Sequence, residues 1–122
     1  MLMTSIGRVL HDRRKDVCQV EFVNPCPLGW VPVPNRCHDN ADAWVKRFPT
    51  WTVVRGWLLI AEDEVLGTIF DAHSVVRDPG DRLWDITQND EHRFLIHPGD
   101  DVEFMRRVRA GPWVRLIYMP EF

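Results

Sequence analysis

Three residue types that together can make a nucleophilic site follow one another along the chain: Cys37 in "NRCHDNADAW", His73 in "DAHSVV" and Asp85 in "LWDIT". The nucleophilic form of cysteine is the thiolate, and an ordinary cysteine is mostly protonated at neutral pH. A helix N-terminus and a neighbouring imidazolium are two common devices that lower its pKa, and a carboxylate can then fix the imidazole's orientation. Cys37 has the first device by position. Cys37, Ala41, Trp44, Val45 and Phe48 recur at i, i+4, i+7, i+8 and i+11, one face of a helix that Pro49 ends. Asn35 is the N-cap candidate, and Asp39 and Asp42 lie in the early turns, where the helix dipole favours acids. Asp39 opposes thiolate formation if it points inward.

The second and third residues depend on strand register. "TIFDAHSVV" and "RLWDIT" read as the two arms of a hairpin around "DPGD". A three-residue loop of Asp78, Pro79 and Gly80, with Gly80 in the left-handed position, places His73 directly opposite Asp85. Facing side chains point to the same side with Cβ atoms about 4.5–5.5 Å apart, so the carboxylate can hold the ring. A two-residue Pro79-Gly80 loop puts Ile86 opposite His73 instead. Asp71 shares the face of His73 and ranks second to Asp85 as the orienting acid. His38 follows the cysteine about 100° round the helix, which suits a cleft rim better than a general base. His11, His92 and His97 lie in polar surroundings and are expected to be solvated. Cys18 and Cys26 are expected to be structural, Cys18 alternating with apolar strand residues and Cys26 held between Pro25 and Pro27.

These residues need a scaffold, and the chain is long enough for one. With 122 residues, 45% of them hydrophobic and 27% charged, it is expected to form a single domain over residues 1–122. The net charge of -3, with bases and acids interleaved, gives no footprint for a phosphate backbone, so no nucleic-acid partner is expected. The longest apolar runs, such as "GWLLIA", fall far short of the ~20 residues that span a bilayer, and no membrane partner is expected. No Sec-type pattern opens the chain; a cytoplasmic location is the expectation, with signal-less secretion as the alternative. Three cysteines without C-x-x-C pairs fit neither a full disulfide framework nor a zinc site.

The elements follow from periodicity. "SIGRVLHDRRKDV" reads as a short helix leading into a strand at "CQVEFV", and the prolines between residues 24 and 36 mark a stiff loop. "TVVRGWLLIA" suits a strand covered on both faces. "GDDVEFMRRVRAG" reads as a helix capped by Asp100 and stopped at Gly111, and "WVRLIYM" as a last strand. The expected fold class is α+β, with the cysteine helix packed on an antiparallel sheet.

In order, spacing and element type, residues 35 to 90 resemble the papain-like cysteine hydrolase superfamily, including the NlpC-type amidases and transglutaminase-like folds. The resemblance implies Cys37 as nucleophile, His73 as general base and acid, and Asp85 as the orienting acid. The backbone N–H of Cys37 is one candidate donor to an oxyanion and Asn35 another; His38 and Asp71 complete the cleft candidates. The implied function is a small cysteine-dependent amide hydrolase or acyltransferase, whether peptidase, deamidase or amidase, working through a thioester without a cofactor. So short a chain has little mass for deep subsites, and a side-chain amide or a flexible peptide segment of a protein is the expected substrate. The rival expectation is a non-catalytic protein-interaction module on the same scaffold. A metal site made of Cys37, His38 and His73 is a third. A Cys37 sulfur within hydrogen-bond reach of a His73 ring nitrogen favours the enzyme.

Overall fold

A computed structural model describes residues 2–22, 33–34, 36–87, 92–109 and 115–119. Helix α1 (Leu2–Asp12) leads through a 3₁₀ turn (Arg14–Asp16) into β1 (Cys18–Phe22), and α2 (Cys37–Arg47) begins at the cysteine singled out above. The antiparallel pair β2 (Thr52–Asp63) and β3 (Gly67–Arg77) is followed by the short β4 (Leu83–Asp85), β5 (His92–Ile96), α3 (Asp101–Arg109) and β6 (Arg115–Tyr118). Asn35, Cys26 and Gly111 lie outside the described residues.

The strands run in the order β2-β5-β1-β4-β3-β6, and β2 also pairs with β3 along its whole length. The first five strands therefore close into a barrel, and β6 is attached to the free edge of β3. This corrects the expectation of an all-antiparallel sheet. Directions cannot alternate all the way round a ring with an odd number of strands, so at least one neighbouring pair must be parallel. That pair is β1 and β4, with Glu21 beside Trp84 and Phe22 beside Asp85. The result is an α+β domain with a mixed barrel and three α-helices among the described residues.

Alternation along β2 divides the core. Val54 and Leu58 point inward with Val20, Val75 and Phe94, while Trp57 and Leu59 point outward beneath α1 and α3, against Leu10 and Phe104. A strand with both faces covered reads as one apolar run, which is why "TVVRGWLLIA" shows no polar alternation. Gly56 sits where a barrel wall comes closest to its filling. A Cβ there would lie 2.3 Å from the carbonyl oxygen of Leu95 and 2.3 Å from the Phe94 ring.

Helix α2 lies against β3, with Ala41 and Trp44 buried beside Val76 and Ile86. Trp44 is its main anchor; truncating so large a buried side chain costs roughly 3–5 kcal/mol. Arg36, not Asn35, occupies the N-cap position and makes no side-chain cap. At α3 the expected cap is present: Asp100 Oδ1 accepts the Glu103 N–H at 2.8 Å. Among the described residues no helix is long and apolar enough to cross a membrane.

Candidate active site

Strand β3 pairs with β6 through Thr68–Asp71 and with β4 only at Val76 and Arg77. Between these two partners, residues 72–75 have no strand beside them on that edge among the described residues, and α2 packs against this strand. His73 and Val75 alternate to the barrel side; Ser74 and Val76 face outward. His73 is thus a barrel residue at an opening in the wall.

His73 Nε2 is 2.6 Å from Asp85 Oδ2, and both side chains are buried. The hairpin that brings them together is not the expected one. Val76 faces Trp84 and Arg77 faces Leu83, a register two residues away from the one that sets His73 directly opposite Asp85. The reason lies in the turn. Asp81, not Gly80, takes the positive φ of 74°. The Asp78 carboxylate holds the longer connection by accepting the Arg82 N–H and the Trp84 Nε1–H, each at 2.9 Å.

A shift of two residues keeps a side chain on its face, because the strand period is two. His73 and Asp85 therefore remain on one side, as diagonal rather than facing neighbours, a separation that longer side chains bridge. Asp85 uses its second oxygen, Oδ1, to accept the Thr87 N–H at 2.8 Å. Both carboxylate oxygens are occupied and the group is oriented.

With Nε2 bonded to Asp85, Nδ1 is the ring nitrogen left for the thiol, and Cys37 lies near enough to the His73 and His38 imidazoles for both to act on its charge. Burial pushes the Cys37 thiol up, but the His38 and His73 imidazoles outweigh it and bring it to about 6. Burial pushes His73 down, and Asp85 together with Cys37 outweighs that and raises it to about 9. The thiol is thus lowered and the imidazole raised, which favours the thiolate beside an imidazolium. Cys37 itself is only half-buried, whereas the His73 and Asp85 side chains are buried.

His38, expected at a cleft rim, is partly buried. Its Nδ1 lies 2.7 Å from Ser74 Oγ, and its ring makes a T-shaped contact with Phe104 at 5.6 Å between centroids. Ser74 accepts from Arg55 Nη1 at 2.9 Å, and Arg55 Nη2 donates to Asp42 Oδ1 at 2.6 Å. Asp39 points away, paired with Arg36 at 3.2 Å and largely exposed, so it does not oppose the thiolate from inside.

Asp71 is not at His73. It forms a two-bond ion pair with Arg115, its facing residue on β6, at 2.6 and 2.8 Å. Cys18 is exposed at the start of β1 rather than in the core. The solvated setting expected for His11 and His97 is also corrected. His11 Nδ1 bonds Thr68 Oγ1 at 2.9 Å. His97 is buried, accepts the Trp57 Nε1–H at 3.0 Å and bonds Glu103 through Nε2. The side chain of His92 lies outside the described residues.

One supporting residue had no motif to announce it. Asn40, three positions after Cys37 and buried, donates to Thr87 Oγ1 at 3.0 Å and to the Val33 carbonyl at 2.9 Å, and accepts the Val33 N–H at 3.1 Å. It ties the chain before the cysteine helix to the turn that follows Asp85. The spacing Cys37-x-x-Asn40 was a readable signal, since it puts a polar residue on the apolar face of the helix.

Among the described residues no group of three or more His, Cys, Asp or Glu side chains is placed to hold a metal ion. No family model matches the chain, and no curated protein or solved structure matches it.

Proposed function

We propose that the protein is a small cysteine-dependent amide hydrolase or acyltransferase of the papain-like plan, with Cys37, His73 and Asp85 as its triad. The observation that carries the reading is the His73–Asp85 hydrogen bond, buried and with both carboxylate oxygens bonded, set beside a partly buried cysteine at a helix N-terminus whose thiol is lowered to about 6 by His38 and His73 against the opposing effect of burial.

The chemistry follows from the charges. The Cys37 thiolate attacks the amide carbonyl carbon, a C–S bond forms, and the π electrons of the carbonyl move to oxygen. Cys37 is the first residue of α2, so its N–H has no acceptor within the helix and can donate to that oxyanion. The proton on His73 passes to the leaving nitrogen as the C–N bond breaks, leaving a thioester and a free amine. Water or an amine then attacks the thioester, gives a proton to His73 and releases the thiolate. Asp85 keeps the imidazole oriented and stabilises its charged form throughout. A substrate carbonyl presented on a side-chain amide or a flexible peptide segment suits a nucleophile at an open helix end.

Mass spectrometry after exposure to an activated acyl ester tests the reading. The expected result is a single acyl adduct on Cys37 in the parent and none in His73→Ala over the same interval. Equal labelling of Cys37 in both proteins would count against a triad.

A further inference from the structure

Arg55 is a charged residue in the wall of the barrel, buried, opposite Ser74 in the β2–β3 register, and with an Nε–H that has no hydrogen-bond partner among the described residues. Burying a guanidinium is expensive, and the carboxylate it pairs with among the described residues, Asp42, is itself half-exposed. Packing alone does not account for such a residue. Its bonds lead toward the thiol: Arg55 to Ser74 and Ser74 to His38, the residue that follows Cys37 in the chain and one of the two imidazoles acting on its thiol.

The donors in that chain fix where the proton sits. Arg55 can only donate, so it occupies one lone pair of Ser74 Oγ. With Arg55 and His38 as the two partners of the buried Ser74 hydroxyl among the described residues, its hydrogen has one acceptor, His38 Nδ1. An acceptor at Nδ1 requires the proton at Nε2. Phe104 packs against the His38 ring in a T-shaped contact from the side of α3.

We propose that His38 is a further catalytic residue of this site: an Nε2–H donor that stabilises the negative charge first on the Cys37 sulfur and then on the oxyanion, with Arg55 and Ser74 as positioning residues that hold its tautomer. The inference rests on the triad reading above. It supplies the second oxyanion donor beside the Cys37 backbone N–H, a role that the sequence had offered to Asn35. No bond to carbon is made by His38; it keeps its proton while the carbonyl electrons move to oxygen and return.

Two probes separate this role from support of the fold. Iodoacetamide alkylates a thiolate by direct displacement and develops no oxyanion, whereas p-nitrophenyl acetate acylates it through one. With both rates measured where Cys37 is fully ionised, the acylation-to-alkylation ratio is expected to fall about tenfold or more in His38→Ala. His38→Gln, whose amide N–H reaches about the place of Nε2–H, should recover part of the loss. In the folded parent, long-range ¹H–¹⁵N correlation should find His38 protonated at Nε2 and bare at Nδ1, and Ser74→Ala should disturb that preference. A ratio within twofold of the parent in His38→Ala, or a parent His38 protonated at Nδ1, overturns the inference and leaves the triad standing. A parent whose Cys37 is not acylated at all overturns the triad reading and this inference with it.

Discussion

His73 and Asp85 are diagonal neighbours across the β3–β4 pair, not facing ones, and they still share a 2.6 Å hydrogen bond inside the barrel. The pair survives because the turn lengthened by an even step, so both side chains stayed on one face. A one-residue slip would have turned Asp85 outward, to the side where Trp84 packs near α2.

Asp85→Asn keeps the shape of the side chain and removes its charge. Burial alone lowers the pKa of His73, and Asp85 is the first group that opposes it. The substitution should therefore lower the His73 pKa, weaken the ion pair with Cys37 and slow acylation on the order of a hundredfold. Acylation kinetics together with an NMR titration of His73 check both halves; an unchanged rate would contradict the role given to Asp85.

The pH profile of acylation has a stated shape. Cys37 is lowered to about 6, so the rate should climb as pH rises through that value and the thiolate appears. His73 is raised to about 9, so a step that needs its proton should fail as pH rises through that value. An ester probe, whose leaving group needs no proton, should show only the acid limb; an amide probe should show both. An ester profile that begins to rise only near pH 8.5, the value of about an ordinary thiol, would contradict the ion pair.

Asn40→Ala removes three hydrogen bonds from a buried position. The groups left behind at Val33 and Thr87 lose their partner, and unfolding in urea should show a loss of about 1–3 kcal/mol. A change below about 0.5 kcal/mol, the size of an ordinary surface substitution, would mean that Asn40 does not tie these segments together.

Gly56→Ala tests the barrel. The added methyl would meet the Leu95 backbone and the Phe94 ring at 2.3 Å, and the backbone is not a neighbour that can simply turn aside. A loss of about 1–3 kcal/mol is expected from overpacking. An unaffected midpoint in denaturant would mean that β2 and β5 do not approach as described.

The parts of the fold with long, regular patterns were legible. The cysteine helix, the continuous run of β2 and the Asp100 cap of α3 each follow from local chemistry. Strand β5 was not legible, because its five residues include His92 and Arg93 and its two central apolar residues, Phe94 and Leu95, serve opposite sides of one wall. Missing it concealed the barrel, since β5 is the strand that joins β1 to β2. His97 was misjudged for the same reason: its burial depends on Trp57 and Glu103, which come from β2 and α3.

The candidate site was legible in its residues and not in its geometry. Cys37, His73 and Asp85 could be named from type and order, while the turn depended on Asp81 adopting a left-handed backbone and on the Asp78 side chain. Arg55 carried a signal that went unused, a lone charge in the middle of an apolar strand. Ser74 carried none, because its partners Arg55 and His38 come from a neighbouring strand and from the cysteine helix.

The pH dependence of iodoacetamide labelling at Cys37, read peptide by peptide with exposed Cys18 as the internal reference, tests the central claim most directly. In the parent, half-maximal labelling of Cys37 is predicted near pH 6, following the lowered pKa of about 6, and His73→Ala should move it up toward the ordinary thiol value of about 8.5. Half-maximal labelling of the parent at that ordinary value, or a low value that His73→Ala leaves in place, would contradict the claim that His73 and Asp85 make Cys37 a nucleophile.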